Sequence, residues 1–90
     1  MYEVGFEDEA KKQFFDLDKT IQYRIEKKVG QLERDDFKSR HLKHGVPVFV
    51  EEIGQYRLVF KTIEAKKEKR ILFVGDHKHY KEWYSSFFKK

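Results

Sequence analysis

Arg57 stands in the run Val48 to Phe60, VFVEEIGQYRLVF, and a second polar group, Asp76-His77-Lys78-His79-Tyr80, comes later in the chain with Tyr84 just beyond it. A planar, permanently charged guanidinium is suited to clamping a phosphate through two parallel hydrogen bonds. Histidine can take or give a proton near neutral pH. In an extended chain His77 and His79 point to the same face, which suits paired acid and base work, whereas on a helical turn they do not. Tyr80, Tyr84 and Trp83 carry rings on which bases can stack. Arg40, Lys43, Lys61, Lys78 and Lys81 are charges that can position a phosphate backbone, and His41 and His44 accompany them.

Each of these residues also has a plainer role. Arg57 is the natural cross-strand partner of Glu52 in an exposed ion pair worth about 0 to 1 kcal/mol. The histidines suit the surface of a basic loop, and Trp83 after a strand suits a core position. His77 and His79 with Asp76 resemble half of a metal site, a weak signal in a chain without Cys, and no metal or other cofactor is expected.

The element that must hold Arg57 is a β-hairpin. Gly54-Gln55 lies between two strand-like runs, and Gly accepts the φ > 0 that the first position of a two-residue type II′ turn needs. The turn sets a register in which Ile53 faces Tyr56, Glu52 Arg57, Glu51 Leu58, Val50 Val59, Phe49 Phe60 and Val48 Lys61. One face then carries Phe49, Ile53, Tyr56, Leu58 and Phe60 and belongs to a core. The other carries Val48, Val50, Glu52, Arg57, Val59 and Lys61, an apolar floor bearing charges.

Around the hairpin, Tyr2 to Phe6 alternates as a short strand. Asp8 is a candidate N-cap for a helix reaching about Leu17, with an apolar stripe of Ala10, Phe14 and Leu17. Asp18 is the next N-cap candidate, opening a helix whose stripe is Ile21, Ile25, Val29 and Leu32 and which ends near Asp35. The tight join makes the two helices a hairpin, and Gly30 suggests close packing there. Asp36 to Gly45 reads as a basic loop, and Pro47 suits a strand start. Glu64 to Lys69 is a charged turn, Arg70 to Val74 a central strand, and Lys81 to Lys90 a final short helix with Trp83, Phe87 and Tyr84 on one side. The fold class is α+β: an N-terminal strand and a helical hairpin on one face of a mostly antiparallel four-stranded sheet, in the order β-α-α-β-β-β, with a short C-terminal helix.

Ninety residues without an internal repeat make one domain, 1–90, with one modest core. Apolar residues are only 39% of the chain but aromatic ones reach 17%, so large side chains must build that core. No stretch approaches the roughly 18 apolar residues of a membrane span, and the N-terminus lacks the layout of a signal peptide. A cytoplasmic protein away from membranes is expected. The net charge of +4 hides an asymmetry: Met1 to Phe37 holds 7 Lys/Arg against 10 Asp/Glu, a net −3, and Lys38 to Lys90 holds 13 against 6, a net +7. A basic half containing the hairpin suggests a polyanionic partner, of which nucleic acid is the commonest.

In this order the elements resemble the RelE/ParE superfamily of toxins from type II toxin–antitoxin pairs, over nearly the whole chain. The most specific pieces are Gly54 to Phe60, matching a Gly-x-Tyr-Arg-(Leu/Val)-hydrophobic-(Tyr/Phe) run, and Val74 to Tyr80, matching a Val-Gly-x-(His/Arg) run that leads to a Tyr. The resemblance implies ribosome-dependent cleavage of messenger RNA in the A site, and neutralisation by a cognate antitoxin. The toxin is then a monomer when free and part of a hetero-oligomer when neutralised. It also implies that Arg57 stabilises the transition state and that His77 or His79, with Tyr80 or Tyr84, transfers protons, while the basic loop contacts RNA. RelE itself carries lysines on the strand before the Arg hairpin, near the places where this chain has Val48 and Val50. That departure keeps open a non-enzymatic alternative, a ParE-like topoisomerase inhibitor or a degenerate toxin that only binds its antitoxin.

Overall fold

The structure, a computed structural model, describes residues 1–42 and 47–88. Its elements are β1 (Glu3–Phe6), α1 (Asp8–Phe15), α2 (Lys19–Leu32), β2 (Arg40–His41), β3 (Val48–Ile53), β4 (Tyr56–Ile63), a single 3₁₀ turn (Glu64–Lys66), β5 (Glu68–Asp76) and α3 (His77–Phe88). They form an α+β fold on one five-stranded sheet with the order β1-β5-β4-β3-β2. Three of the four strand pairings are antiparallel, and β1 lies parallel to β5. The sheet therefore has one strand more than the four expected and is mixed. The extra strand is β2, in the segment expected to be loop. Two residues are too few to show alternation, and this strand is recognisable only by its pairing of Arg40 with Val50 and His41 with Phe49.

The hairpin follows the expected register at all six pairs, from Ile53 opposite Tyr56 to Val48 opposite Lys61. Gly54 has φ 61°, and Lys67 is the one non-glycine residue with positive φ among those described. Positive φ at Gly54 but not at Gln55 is the type II′ combination. Added bulk at Gly54 would also collide with the Arg24 guanidinium, 2.8 Å from where a Cβ would sit.

On one face of the sheet the helical hairpin buries Ala10, Phe14, Ile25 and Leu32 against Ile53, Leu58, Phe60, Ile71 and Val74. Asp18 caps α2 by accepting the Ile21 amide at 3.0 Å, and the Gln22 side chain donates to the Leu17 carbonyl at 2.8 Å, fixing the turn between the helices. At α1 the cap position falls on Glu7, with Asp8 in the first turn, where its charge still favours the helix dipole. Gly30 is exposed, and nothing lies within 4 Å of where a Cβ would be, so it serves no close packing. Lys69, in the stretch expected to be a turn, is instead on β5 and buried. Its ammonium donates to the Leu32 carbonyl at 2.8 Å, under the ring of Tyr2 at 4.3 Å, so one side chain satisfies the C-terminal end of α2 and ties it to the sheet. Burial pushes its pKa down.

The opposite face holds a second, smaller core: Val48, Val50, Val59 and Phe73, with Tyr80 and Trp83 of α3 packed on it. A register shift between Val59 and Phe60 makes this possible. Val59 pairs with Phe73 but Phe60 with Ile71, so Leu72 is an extra residue on β5. The extra residue lets Ile71 face the first core and Phe73 the second, although they are two apart in sequence. Among the described residues no helix is long and apolar enough to cross a membrane.

Candidate functional site

Sheet parity puts Arg40, Glu52 and Arg57 on the same face as the valine floor, because Arg40 pairs with Val50 and Glu52 with Arg57. The other neighbour of Arg57, across β5, is Gly75, which offers no side chain. The Phe73 ring lies 2.8 Å from where a Cβ at Gly75 would be. Arg57 therefore stands in a gap between Glu52 and a glycine. Its Nη1 donates to two carbonyls of its own turn, Tyr56 at 3.0 Å and Gly54 at 3.2 Å, which aims the fork along the strand.

The expected pairing of Glu52 with Arg57 is altered. Glu52 Oε2 accepts from Arg40 Nη2 at 2.9 Å, while Arg57 faces Glu52 in register and acts on it through its charge. The Arg40 hydrogen bond, then the charges of Arg57 and Arg40, hold the Glu52 carboxyl below the usual range.

From above the floor, α3 contributes the rest. It begins at His77, four residues earlier than the sequence suggested, because Asp76 caps it: one carboxylate oxygen accepts the His79 amide at 2.9 Å and meets His79 Nδ1 at 2.7 Å. The His77 amide is bonded to the Gln55 carbonyl at 3.0 Å, so the hairpin turn fixes where the helix starts. An Asp directly before an aromatic-periodic run was the signal for this cap.

A helix at this point corrects the extended arrangement of the histidines. Residues two apart on a helix are separated by about 200°, so His77 and His79 lie on different sides. His77, Tyr80 and Tyr84 share one side and line a cleft of about 350 Å³ together with Lys81 and Ser85. The rings of His77 and Tyr80 stack at 6.2 Å, and Tyr84 meets Tyr80 edge-on at 6.1 Å. Burial, the neighbouring Tyr84 and Glu52 push the Tyr80 phenol up, against the opposing charges of Arg40 and Arg57. The phenol therefore stays protonated at neutral pH. His79 faces away and is held by Asp76.

The structure accordingly brings Arg40, Arg57, His77, Tyr80, Tyr84 and Lys81 to one side, and adds Glu52. It does not bring His41, whose ring packs on Phe49 at 4.4 Å on the opposite face. Lys61 lies four residues down β4 from Arg57, about 13 Å at strand rise, and is 3.8 Å from Glu7. Lys78 is exposed beside Asp76, on which its charge acts. Lys43 and His44 lie outside the described residues. Trp83 takes the core role, 5.5 Å from Phe73 and stacked on Phe87 at 4.7 Å. Val48 and Val50 are buried beneath α3, which gives a packing reason for valine there.

No protein-family model matches the sequence, and no curated protein sequence matches it. Solved structures do match: the fold is that of the RelE toxins. The isolated RelE toxin of E. coli is similar over 98% of this chain and 100% of its own, with a TM-score of 0.74 at 23% identity. RelE in the intact E. coli RelBE toxin–antitoxin complex gives 0.73 at 25% identity over 84% of this chain and 96% of its own. The RelBE2 toxin–antitoxin complex of Mycobacterium tuberculosis gives 0.74 at 23% over 84% and 91%.

Proposed function

We propose that residues 1–90 act in the cytoplasm as one toxin domain of a type II toxin–antitoxin system, cleaving messenger RNA on the ribosome until a cognate antitoxin binds. The observation that carries this reading is the convergence of Arg57 and Arg40 from the sheet with His77 and Tyr80 from α3, on a RelE fold. Metal-independent cleavage of RNA needs a base for the 2′-hydroxyl, positive charge for the phosphorane, and an acid for the departing 5′-oxygen.

In the proposed reaction His77 takes the 2′-hydroxyl proton, and the 2′-oxygen attacks phosphorus to form a 2′,3′-cyclic phosphate. Arg57, with Arg40 beside it, holds the non-bridging oxygens as negative charge builds on them. The 5′-oxygen leaves with the phenolic proton of Tyr80, whose raised pKa keeps that proton in place beforehand. Tyr84 supports the Tyr80 ring, and Lys81 at the cleft mouth meets the flanking backbone. The neighbours solved as RelBE complexes support a protein antitoxin as the second partner.

One observation favours a second reading. Near the places where RelE itself carries lysines, this chain buries Val48 and Val50, which fits a toxin that binds without cutting, as a topoisomerase inhibitor or through its antitoxin alone. Primer extension on a translated message after induction separates the two. Cuts at codon spacing that vanish with Arg57→Ala support the nuclease; growth arrest without cuts, accompanied by a DNA-damage response, overturns it.

A further inference from the structure

On the far side of α3 from Arg57 is a groove of about 510 Å³ between α1 and α3. It exists because β1 ends at Phe6, opposite Ile71, so Leu72 to Asp76 of β5 have no strand on their outer edge. Gln13 of α1 reaches across to accept the Val74 amide at 3.1 Å, so that amide is satisfied without a neighbouring strand. The floor is apolar, with Leu17, Tyr56, Val74 and Trp83 contributing to it.

The rim has the opposite sign to the protein. Glu9, Asp16, Asp76 and Glu82 surround the groove, and no Lys or Arg lines it among the described residues. Asp76 is engaged by His79, but Glu9, Asp16 and Glu82 form no ion pair among the described residues. Four carboxylates gathered over an apolar floor, on a chain of net charge +4, repel a phosphate backbone and attract cations.

We infer that this groove is a docking site for a polypeptide segment that carries Lys or Arg around apolar anchor side chains, separate from the Arg57 face. The anchors cover the Trp83 and Tyr56 rings, and the cations meet Asp16 and Glu82. The charge pattern sets partner choice and on-rate, while the buried apolar contact supplies the affinity.

Trp83 is the only tryptophan in the chain and lies in the groove, so its emission reports occupancy. The full chain is titrated at low salt with a short synthetic peptide of alternating Leu and Lys, with its counterpart bearing Glu for each Lys, and with a short single-stranded RNA. The Lys peptide is expected to shift Trp83 emission saturably and the Glu peptide is not. The double variant Asp16→Lys/Glu82→Lys, checked for an unchanged melting curve, is expected to weaken the Lys peptide by about tenfold, an effect that fades with added salt. Equal response to both peptides, no response to either, indifference to the double variant, or a response to RNA alone overturns the inference. RNA cleavage by the double variant is read separately, so failure of the nuclease reading leaves this result intact.

Discussion

Arg40 Nη2 lies 2.9 Å from Glu52 Oε2, joining the edge strand β2 to the residue that the hairpin register sets opposite Arg57. A carboxylate thus stands between two arginines in the centre of a candidate phosphate site, occupying one of them. On the proposed reading it is an internal anion that an incoming phosphate would displace.

Glu52→Gln removes that anion. Inorganic phosphate binding, followed by NMR shifts of the Arg40 and Arg57 side chains, is expected to tighten several-fold. The melting temperature should be unchanged, since the pair is exposed. Weaker phosphate binding in the variant would show instead that Glu52 holds Arg40 in place for the ligand.

The same pair sets a pH dependence. Arg40 and Arg57 lower the folded-state pKa of Glu52, so the contact is fully present above the ordinary glutamate pKa of about 4.3 and is lost as pH falls through the lower folded value. A carboxylate-detected NMR titration should find Glu52 titrating below the ordinary value, and Arg40→Ala should move it upward.

Arg57→Ala is expected to lower RNA cleavage by about 10² to 10³-fold, the typical loss on removing one donor to a developing oxyanion, with an unchanged melting temperature. Unaltered cut intensity in primer extension would remove Arg57 from the mechanism.

Val50 is only 5% exposed, beneath Tyr80 and Trp83. Val50→Lys should therefore destabilise the fold by several kcal/mol, through an unpaired buried charge, and not enhance cleavage. A variant that melts normally and cuts faster would refute this.

Gly30→Ala should stabilise α2 by up to about 1 kcal/mol, because the position is exposed and unobstructed. For a domain of this size that raises the melting temperature by about 4 to 8 °C. Asp76→Ala should cost about 0.5 to 2 kcal/mol as a lost cap, and hydrogen exchange should then quicken at the start of α3, where His77 and Tyr80 sit.

Part of this arrangement follows from local chemistry along the chain. Gly54 at a two-residue turn sets the register of six pairs, and period-two and helical apolar patterns then assign Phe49, Leu58, Ile25 and Leu32 to the first core. Asp18 announces its helix, and the Arg57 motif marks the face on which Arg57 stands. The rest depends on contacts between elements distant in the chain. The two-residue β2 has no periodicity to detect, yet its pairing with β3 delivers Arg40 to Glu52 and turns His41 to the opposite face. The extra residue at Leu72 divides Ile71 and Phe73 between two cores, which no fixed period can encode. Asp76 and the Gln55 carbonyl start α3 early enough to separate His77 from His79, so which histidine lies beside Tyr80 and Tyr84 depends on the fold.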